Sequence, residues 1–415
     1  MFNPMIRLLP IVLITACAAE ELRTIDELAV QVWQPEDGGD VPMAAVKGCK
    51  ETDASDALEP LWCVPISPEP ASEAFDGGTC AATSGTASDM RCRFDNMIGA
   101  SGLTGTAARP VFTYCDSDAE GGVRVASYDA ESTGGVNEVV EQGQCRGFPQ
   151  DGGLGTPGPD DGQFSAFIRY DEDGKNRVYL TEQGSDGAMR GAPTRVPGSE
   201  DPNRATVSGG SLYVQFADGT LQVRDLKQLE IPHFIAVDSS RFGAGFVGDR
   251  EVVAVCSEDF GIRVVALEDR EVAETRVLGD GCLWSDNPVV AGSDDDAVVI
   301  GWHDGGGLQL AFLGADLVER RRHPIDGLLV EVAWDGSFFW SLDSTGALRR
   351  WTAEGDLAGE YTHPYIPHPD GYSKGLRILI EDETLVVAAI TEFRIVAGGH
   401  QSLINSLDLS AVPLP

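Results

Sequence analysis

Between residues 111 and 397 one pattern recurs seven times: a short apolar run, a turn rich in Asp, Glu and Gly, and a second apolar or alternating run. The paired runs are 111–115 with 123–128, 164–170 with 177–181, 212–216 with 220–226, 252–256 with 261–267, 298–302 with 308–313, 338–342 with 347–351, and 385–390 with 393–397. Taking Val111, Ser165, Leu212, Val252, Val298, Phe338 and Leu385 as markers, the intervals are 54, 47, 40, 46, 40 and 47 residues. In the sixth unit the flanking strands are legible too. Residues 329–334, 338–342, 347–351 and 357–361 read as four antiparallel strands, joined at Asp335-Gly336, at Asp343 to Gly346 and at Glu354-Gly355.

A single four-stranded unit cannot cover both of its own faces. Packed radially, such units bury each sheet between two neighbours, and a spacing averaging about 46 residues is that of a propeller blade. The reading is an all-β, seven-bladed β-propeller, with six or eight blades also compatible because the first two units are irregular. A pair of β-sandwiches is the competing architecture, and its strands would not keep this period. Composition agrees: 42% hydrophobic residues supply a large core, while 49 Gly and only 7% aromatic residues favour a turn-rich, strand-rich chain.

Ahead of the repeats the chain changes character. Residues 1–7 carry one positive charge, 8–14 are an apolar run too short to span a bilayer, and Ile14-Thr15-Ala16-Cys17 follows directly. This motif resembles the lipobox of bacterial lipoproteins. The resemblance implies that residues 1–16 are a signal peptide, that the thiol of Cys17 is lipidated, and that Cys17 becomes the new N-terminus. Ala18, in place of Asp, then implies delivery to the outer membrane, with the acyl chains alone as anchor. Residues 17–41 read as an acidic tether, 42–100 as a Cys-rich, loop-rich segment, and 101–415 as the propeller. At the level of lipobox and fold, the chain resembles the propeller lipoproteins of outer-membrane protein assembly; that likeness transfers no residue role.

Cysteine usage fits an exported protein. Besides Cys17 there are eight: Cys49, Cys63, Cys80, Cys92, Cys115, Cys145, Cys256 and Cys282. An even set in an oxidising compartment reads as disulfides, and the spacings are too long for a zinc knuckle. Neighbour pairing gives Cys49–Cys63 and Cys80–Cys92 as staples of the loop-rich segment. Cys115 and Cys256 occupy equivalent ends of second strands, with Cys145 and Cys282 following the fourth strand, so one staple is expected twice, as Cys115–Cys145 and Cys256–Cys282.

The formal net charge of −36 repels phosphate backbones, which excludes nucleic acid as a partner in the absence of a local basic patch. Turns between second and third strands carry Asp116, Asp118, Glu120, Asp171, Glu172, Asp173, Asp218, Glu258, Asp259, Asp304, Asp343 and Glu392. If the propeller reading holds, these share one face and form a carboxylate rim suited to an envelope protein with a basic surface. Tight turns also favour Asp and Gly for local reasons, because Asp hydrogen-bonds its own backbone. Asp116, Asp118 and Glu120 resemble the first half of a calcium loop, without the bidentate Glu at the twelfth position, where Ser127 stands; no other cofactor is expected. His363, His368 and Asp370 lie on one Pro-rich loop. No H-E-x-x-H, G-x-S-x-G or Walker motif is present. The leading functional reading is a lipid-anchored binding or scaffold module, and the alternative is a surface hydrolase or lyase with its site at the propeller mouth near His303, Asp304 or the His363 loop.

Overall fold

The computed structural model describes residues 49, 51, 54–65, 81–82, 90–91, 98–116, 122–130, 134–142, 145–146, 156–157, 163–184, 189–236, 241–257, 261–279, 281–282, 287–294, 296–367, 372–397 and 400–415. The lipobox, Cys17 and the acidic tether lie outside these residues, as do Cys80 and Cys92. No helix among them is long and apolar enough to cross a membrane.

The chain forms seven antiparallel blades. Blade 1 is Ile98–Gly105, Pro110–Asp116, Gly122–Asp129 and Gly134–Gln142. In blade 2 the short strands Cys145–Arg146 and Thr156–Pro157 pair with Gln163–Tyr170, which is followed by Asn176–Gln183 and Thr194–Glu200. Blade 3 is Pro202–Ser208, Ser211–Phe216, Thr220–Asp225 and Gln228–Ala236. Blade 4 is Arg241–Val247, Arg250–Ser257, Gly261–Glu268 and Glu271–Gly279. Blade 5 is Val289–Gly292, Ala297–His303, Leu308–Gly314 and Glu319–Ile325. Blade 6 is Val330–Trp334, Phe339–Asp343, Ala347–Trp351 and Leu357–Thr362. Blade 7 is Tyr372–Glu381, Thr384–Ala397 and His400–Pro413, completed by Trp62–Pro65.

The core sits between blades rather than within them. Second and third strands alternate their apolar side chains toward the two neighbours: in blade 4, Val253, Val255 and Val265 face blade 3, while Val252, Ala254 and Val264 face blade 5. Each junction has its own buried cluster, such as Phe312 and Phe339 between blades 5 and 6, or Phe112, Tyr114, Leu407 and Leu409 between blades 1 and 7. The first strand of blade 1 meets strands of both blade 2 and blade 7, so the ring is closed. Closure buries each sheet's faces between neighbours and leaves only short outer edges.

Blade 7 departs from the sequence reading. Residues 385–390 and 393–397 were expected to be separate second and third strands with Glu392 in the turn between them. They form one strand, Thr384–Ala397, in which Glu392 is buried and pairs with Asn405. The third strand is His400–Pro413, and Gly398 and Gly399 fall between the two. Thr391-Glu392 contains neither Gly nor Pro, so nothing there favours a turn over continued pairing. The fourth strand comes from the loop-rich N-terminal segment: Trp62 aligns with Ala411 and Val64 with Leu409. Cys63, in this closing strand, is bonded to Cys49, with Cα atoms 5.7 Å apart.

Cys256, in the second strand of blade 4, is bonded to Cys282 beyond the fourth strand, with Cα atoms 5.6 Å apart. Cys115 in blade 1 is also disulfide-bonded. Cys145 lies in a short strand opposite Arg169 of blade 2.

Near the axis, first strands approach so closely that side chains do not fit. A Cβ on Gly243 of blade 4 would stand 2.0 Å from the Pro288 carbonyl oxygen, and one on Gly292 of blade 5 would stand 1.5 Å from that of Phe246.

Candidate functional site

In an antiparallel four-stranded blade, the turns from second to third strand share one face with the connections between blades. Among the described residues, the turns that carry Asp171, Asp173, Asp218, Asp304 and Asp343 therefore lie on a common face, while Glu392 does not, and the carboxylates of those turns are engaged by their own blades. Asp343 is 1% exposed and accepts from the backbone N–H groups of Thr345 (2.9 Å) and Ala347 (3.2 Å) and from Arg349 Nη1 (2.6 Å). Asp218 accepts from the Thr220 N–H at 2.9 Å, which lowers its carboxyl pKa. Asp304 accepts from the Gly306 N–H at 2.9 Å.

Blade 2 builds an ion cluster on the same face. Arg177, 4% exposed, donates through Nη1 to Asp171 at 3.1 Å and through Nη2 to Asp173 at 2.6 Å, and the Tyr179 hydroxyl donates to Asp171 at 2.7 Å. The Arg177 hydrogen bond holds the Asp173 carboxyl down to about 2. These acids are thereby fixed by a cation of the same blade. Asp116 ends the second strand of blade 1, whereas Asp118, Glu120 and Asp259 lie outside the described residues. Among the described residues, no three His, Cys, Asp or Glu side chains are grouped to hold a metal ion.

Among the described residues, the histidines are not gathered into a cluster that could hold a metal ion. His363 is fully buried; its Nδ1 accepts from the Tyr365 N–H at 3.3 Å, its Nε2 has no partner, and burial pushes its pKa down to about 3. His368 and Asp370 lie outside the described residues. His303 Nδ1 accepts from the Gly305 N–H at 3.3 Å. The adjacent arginines of the third strand of blade 6 are structural: Arg349 binds Asp343 and Glu360, while Arg350 stacks 4.9 Å from the Phe338 ring centroid and donates to the Pro415 carbonyl at 2.8 Å.

The feature that sequence reasoning missed is a central cavity of about 90 Å³ on this face, lined by blades 3 to 7. Arg204, Thr206, Asn287, His303, Glu331 and Arg377 are its polar lining, and half-exposed Leu328 stands where it meets the surface. Arg377 of blade 7 donates through Nη1 to Glu331 Oε1 of blade 6 at 2.5 Å and to its own Leu376 carbonyl at 2.6 Å, while its Nε has no partner. Burial pushes the Glu331 carboxyl upward against the opposing pull of Arg377. The signal was present in the sequence as charges flanked by apolar residues: Glu331 between Val330 and Val332, and Arg377 between Leu376 and Ile378.

No family model matches this chain. No curated protein matches it significantly. Solved propellers do resemble it in shape. A catalytically inactive virginiamycin B lyase from Staphylococcus aureus, solved with quinupristin, is 12% identical with a TM-score of 0.48, covering 76% of this chain and 96% of that one. The WD40 domain of Toxoplasma gondii coronin is 12% identical with a TM-score of 0.48, covering 87% and 90%. BamB from Moraxella catarrhalis is 13% identical with a TM-score of 0.37, covering 74% and 95%. At such identities the likeness concerns the fold alone.

Proposed function

We propose that the protein is a binding module: a propeller that presents its second-to-third-turn face to a protein partner and is held to the bacterial outer membrane by lipid on Cys17. The observation that carries the binding reading is the state of the groups a catalyst would need. Among the described residues, His363 is sealed in the interior, while His303 and Asp304 are tied to turn backbone. A catalytic acid and base must reach a common reacting atom, and these do not meet. What the face offers instead is a rigid ring of turns around a recessed, polar-lined cavity. Acidic side chains of the turns favour a basic partner by steering its approach. The lipobox motif supports the anchor, since acyl carbons contribute about 0.8 kcal/mol per buried CH₂.

The test is purification of the full chain from membranes in mild detergent, followed by identification of companions. One stoichiometric companion, released by high salt, is expected. No specific companion, together with turnover of a glycan or peptide library, would replace this reading with the hydrolase or lyase one. Mass spectrometry of the processed N-terminus is expected to find a lipidated Cys17, and an unmodified Cys17 would remove the anchor.

A further inference from the structure

The polar lining of the central cavity is already engaged. Arg377 and Glu331, 6% and 8% exposed, pair at 2.5 Å and neutralise each other. Arg204, Thr206 and Asn287 have partners of their own, and His303 Nδ1 takes the Gly305 N–H. The polar atoms left over, Arg204 Nη1, Asn287 Oδ1 and Arg377 Nε, are closed off from solvent and so from anything that enters. A charged group drawn into this space would shed its water and meet no free counter-charge, which is costly.

What the cavity presents to an entrant is apolar. Leu328 is half-exposed at the mouth, Leu329 and Val289 are partly buried, and Phe242, Leu308 and Val330 are buried in the wall. Preformed concave surfaces of this kind hold apolar groups, with a few polar atoms around them. Size narrows the choice. An apolar cavity of roughly 150 Å³ holds a benzene ring. The volume of about 90 Å³ here stops short of an aromatic ring and admits an aliphatic side chain of about four carbons.

The mouth selects the neighbours of that side chain. Phe242, Val289 and Val330 are near the starts of their first strands, and His303 and Leu308 flank the Asp304 turn, so the cavity opens on the second-to-third-turn face. Asp304 follows the lining residue His303, and Asp326 stands shortly before Leu328. Asp326 is exposed and Asp304 partly so, and among the described residues neither forms an ion pair. Residues on either side of an inserted side chain pass these carboxylates, so basic flanks are attracted and acidic flanks repelled.

We infer that the cavity is a socket for a leucine-sized aliphatic side chain displayed between basic residues of a polypeptide partner. The inference rests on the binding-module reading and gives that site its ligand chemistry. The aliphatic group is the desolvated anchor, and the rim carboxylates set the approach and register of its flanks.

The experiment is fluorescence anisotropy of the full chain with labelled peptides of one frame, Lys-Ser-X-Ser-Lys-amide, where X is Leu, Ala, Trp or Asp. The Leu peptide is expected to bind at least tenfold more tightly than each of the other three. Exchanging both Lys for Glu around Leu is expected to weaken it at least tenfold at low salt. Val289→Phe, which fills the cavity, and Leu328→Asp, at a half-exposed position that the core does not need, are each expected to weaken the Leu peptide at least fivefold. Thermal melts establish that each variant is folded, and if Val289→Phe is not, Leu328→Asp decides alone. No binding of the Leu peptide, equal binding of any counterpart, or unchanged affinity in folded Leu328→Asp would overturn the inference. A co-purifying companion that stays bound to both folded variants would sink the socket while leaving the binding-module reading in place.

Discussion

Asp343 and Arg349 close the second-to-third turn of blade 6 on itself, Nη1 to Oδ2 at 2.6 Å, with the carboxylate almost wholly withdrawn from water. The same carboxylate takes two backbone N–H groups and the Thr345 hydroxyl. It therefore neutralises a largely buried guanidinium and caps the turn at once. Burial works against the Arg349 charge, and the hydrogen bonds and charges of Asp343 and Glu360 together outweigh it to raise the pKa.

Removing that carboxylate leaves several donors without partners and a largely buried Arg349 paired only with the exposed Glu360. Asp343→Ala is expected to cost about 3 kcal/mol or more, as for other broken buried pairs. Asp343→Asn keeps an acceptor for the turn and is expected to lose less. Urea denaturation of the three proteins checks this order, and equal losses for Ala and Asn would mean that the charge, not the turn, dominates.

Ring closure makes a second prediction. The closing strand Trp62–Pro65 pairs over only four residues, yet it joins the end of the chain to its beginning and is stapled by Cys49–Cys63. A disulfide spanning 14 residues is worth about 3 kcal/mol in the loop-entropy model. The double replacement Cys49→Ser with Cys63→Ser is expected to lower stability by about that amount. Limited proteolysis should then cut first near residues 54–65, releasing blade 7 before the others. Cleavage beginning elsewhere would show that closure does not depend on the staple.

Much of this architecture was legible because a blade is a local object. Its four strands are consecutive, its turns carry Gly and Asp, and its apolar residues repeat, so the period near Val252, Val298 and Phe338 reports the ring directly. Blade 7 was misread because its outer strand is supplied from more than 300 residues away, a pairing that no local pattern announces. The turn acids were legible as turn formers, but whether Asp343 faces a partner or its own Arg349 depends on a side-chain direction that spacing does not specify. The cavity was illegible for a related reason. Arg204, Glu331 and Arg377 stand in three separate first strands, and only the circle brings them together.

The close approach of first strands makes a third prediction. With no room for a Cβ at Gly243 or Gly292, Gly243→Ala and Gly292→Ala must push blades 4 and 5 apart near the axis. Each is expected to cost about 3 kcal/mol, at the upper end of overpacking effects. Gly306→Ala is the control: its Cβ would meet only the flexible Asp304 carboxylate, at 3.3 Å, and a change within about 0.5 kcal/mol is expected. Thermal melts that fail to separate the axial glycines from Gly306 would contradict the packing at the axis.

Acid should weaken the fold through His363 before it reaches the carboxylates. The imidazole is neutral in its buried site, with a pKa lowered to about 3 from the ordinary 6.5. Below pH 6.5 the unfolded chain binds a proton there that the folded chain does not, so stability falls as pH falls, and the loss is complete only near pH 3. Between pH 7 and pH 5 this single group is expected to remove about 2 kcal/mol. Carboxylates with lowered pKa, such as Asp173 held by Arg177, add their losses only at lower pH, as the medium passes below the ordinary carboxyl range. Denaturant melts of the wild type and His363→Phe at both pH values isolate the effect. The variant can be weaker at each pH, but its difference between the two should shrink by about the same 2 kcal/mol, and an unchanged difference would mean that His363 finds a way to carry its proton inside the folded ring.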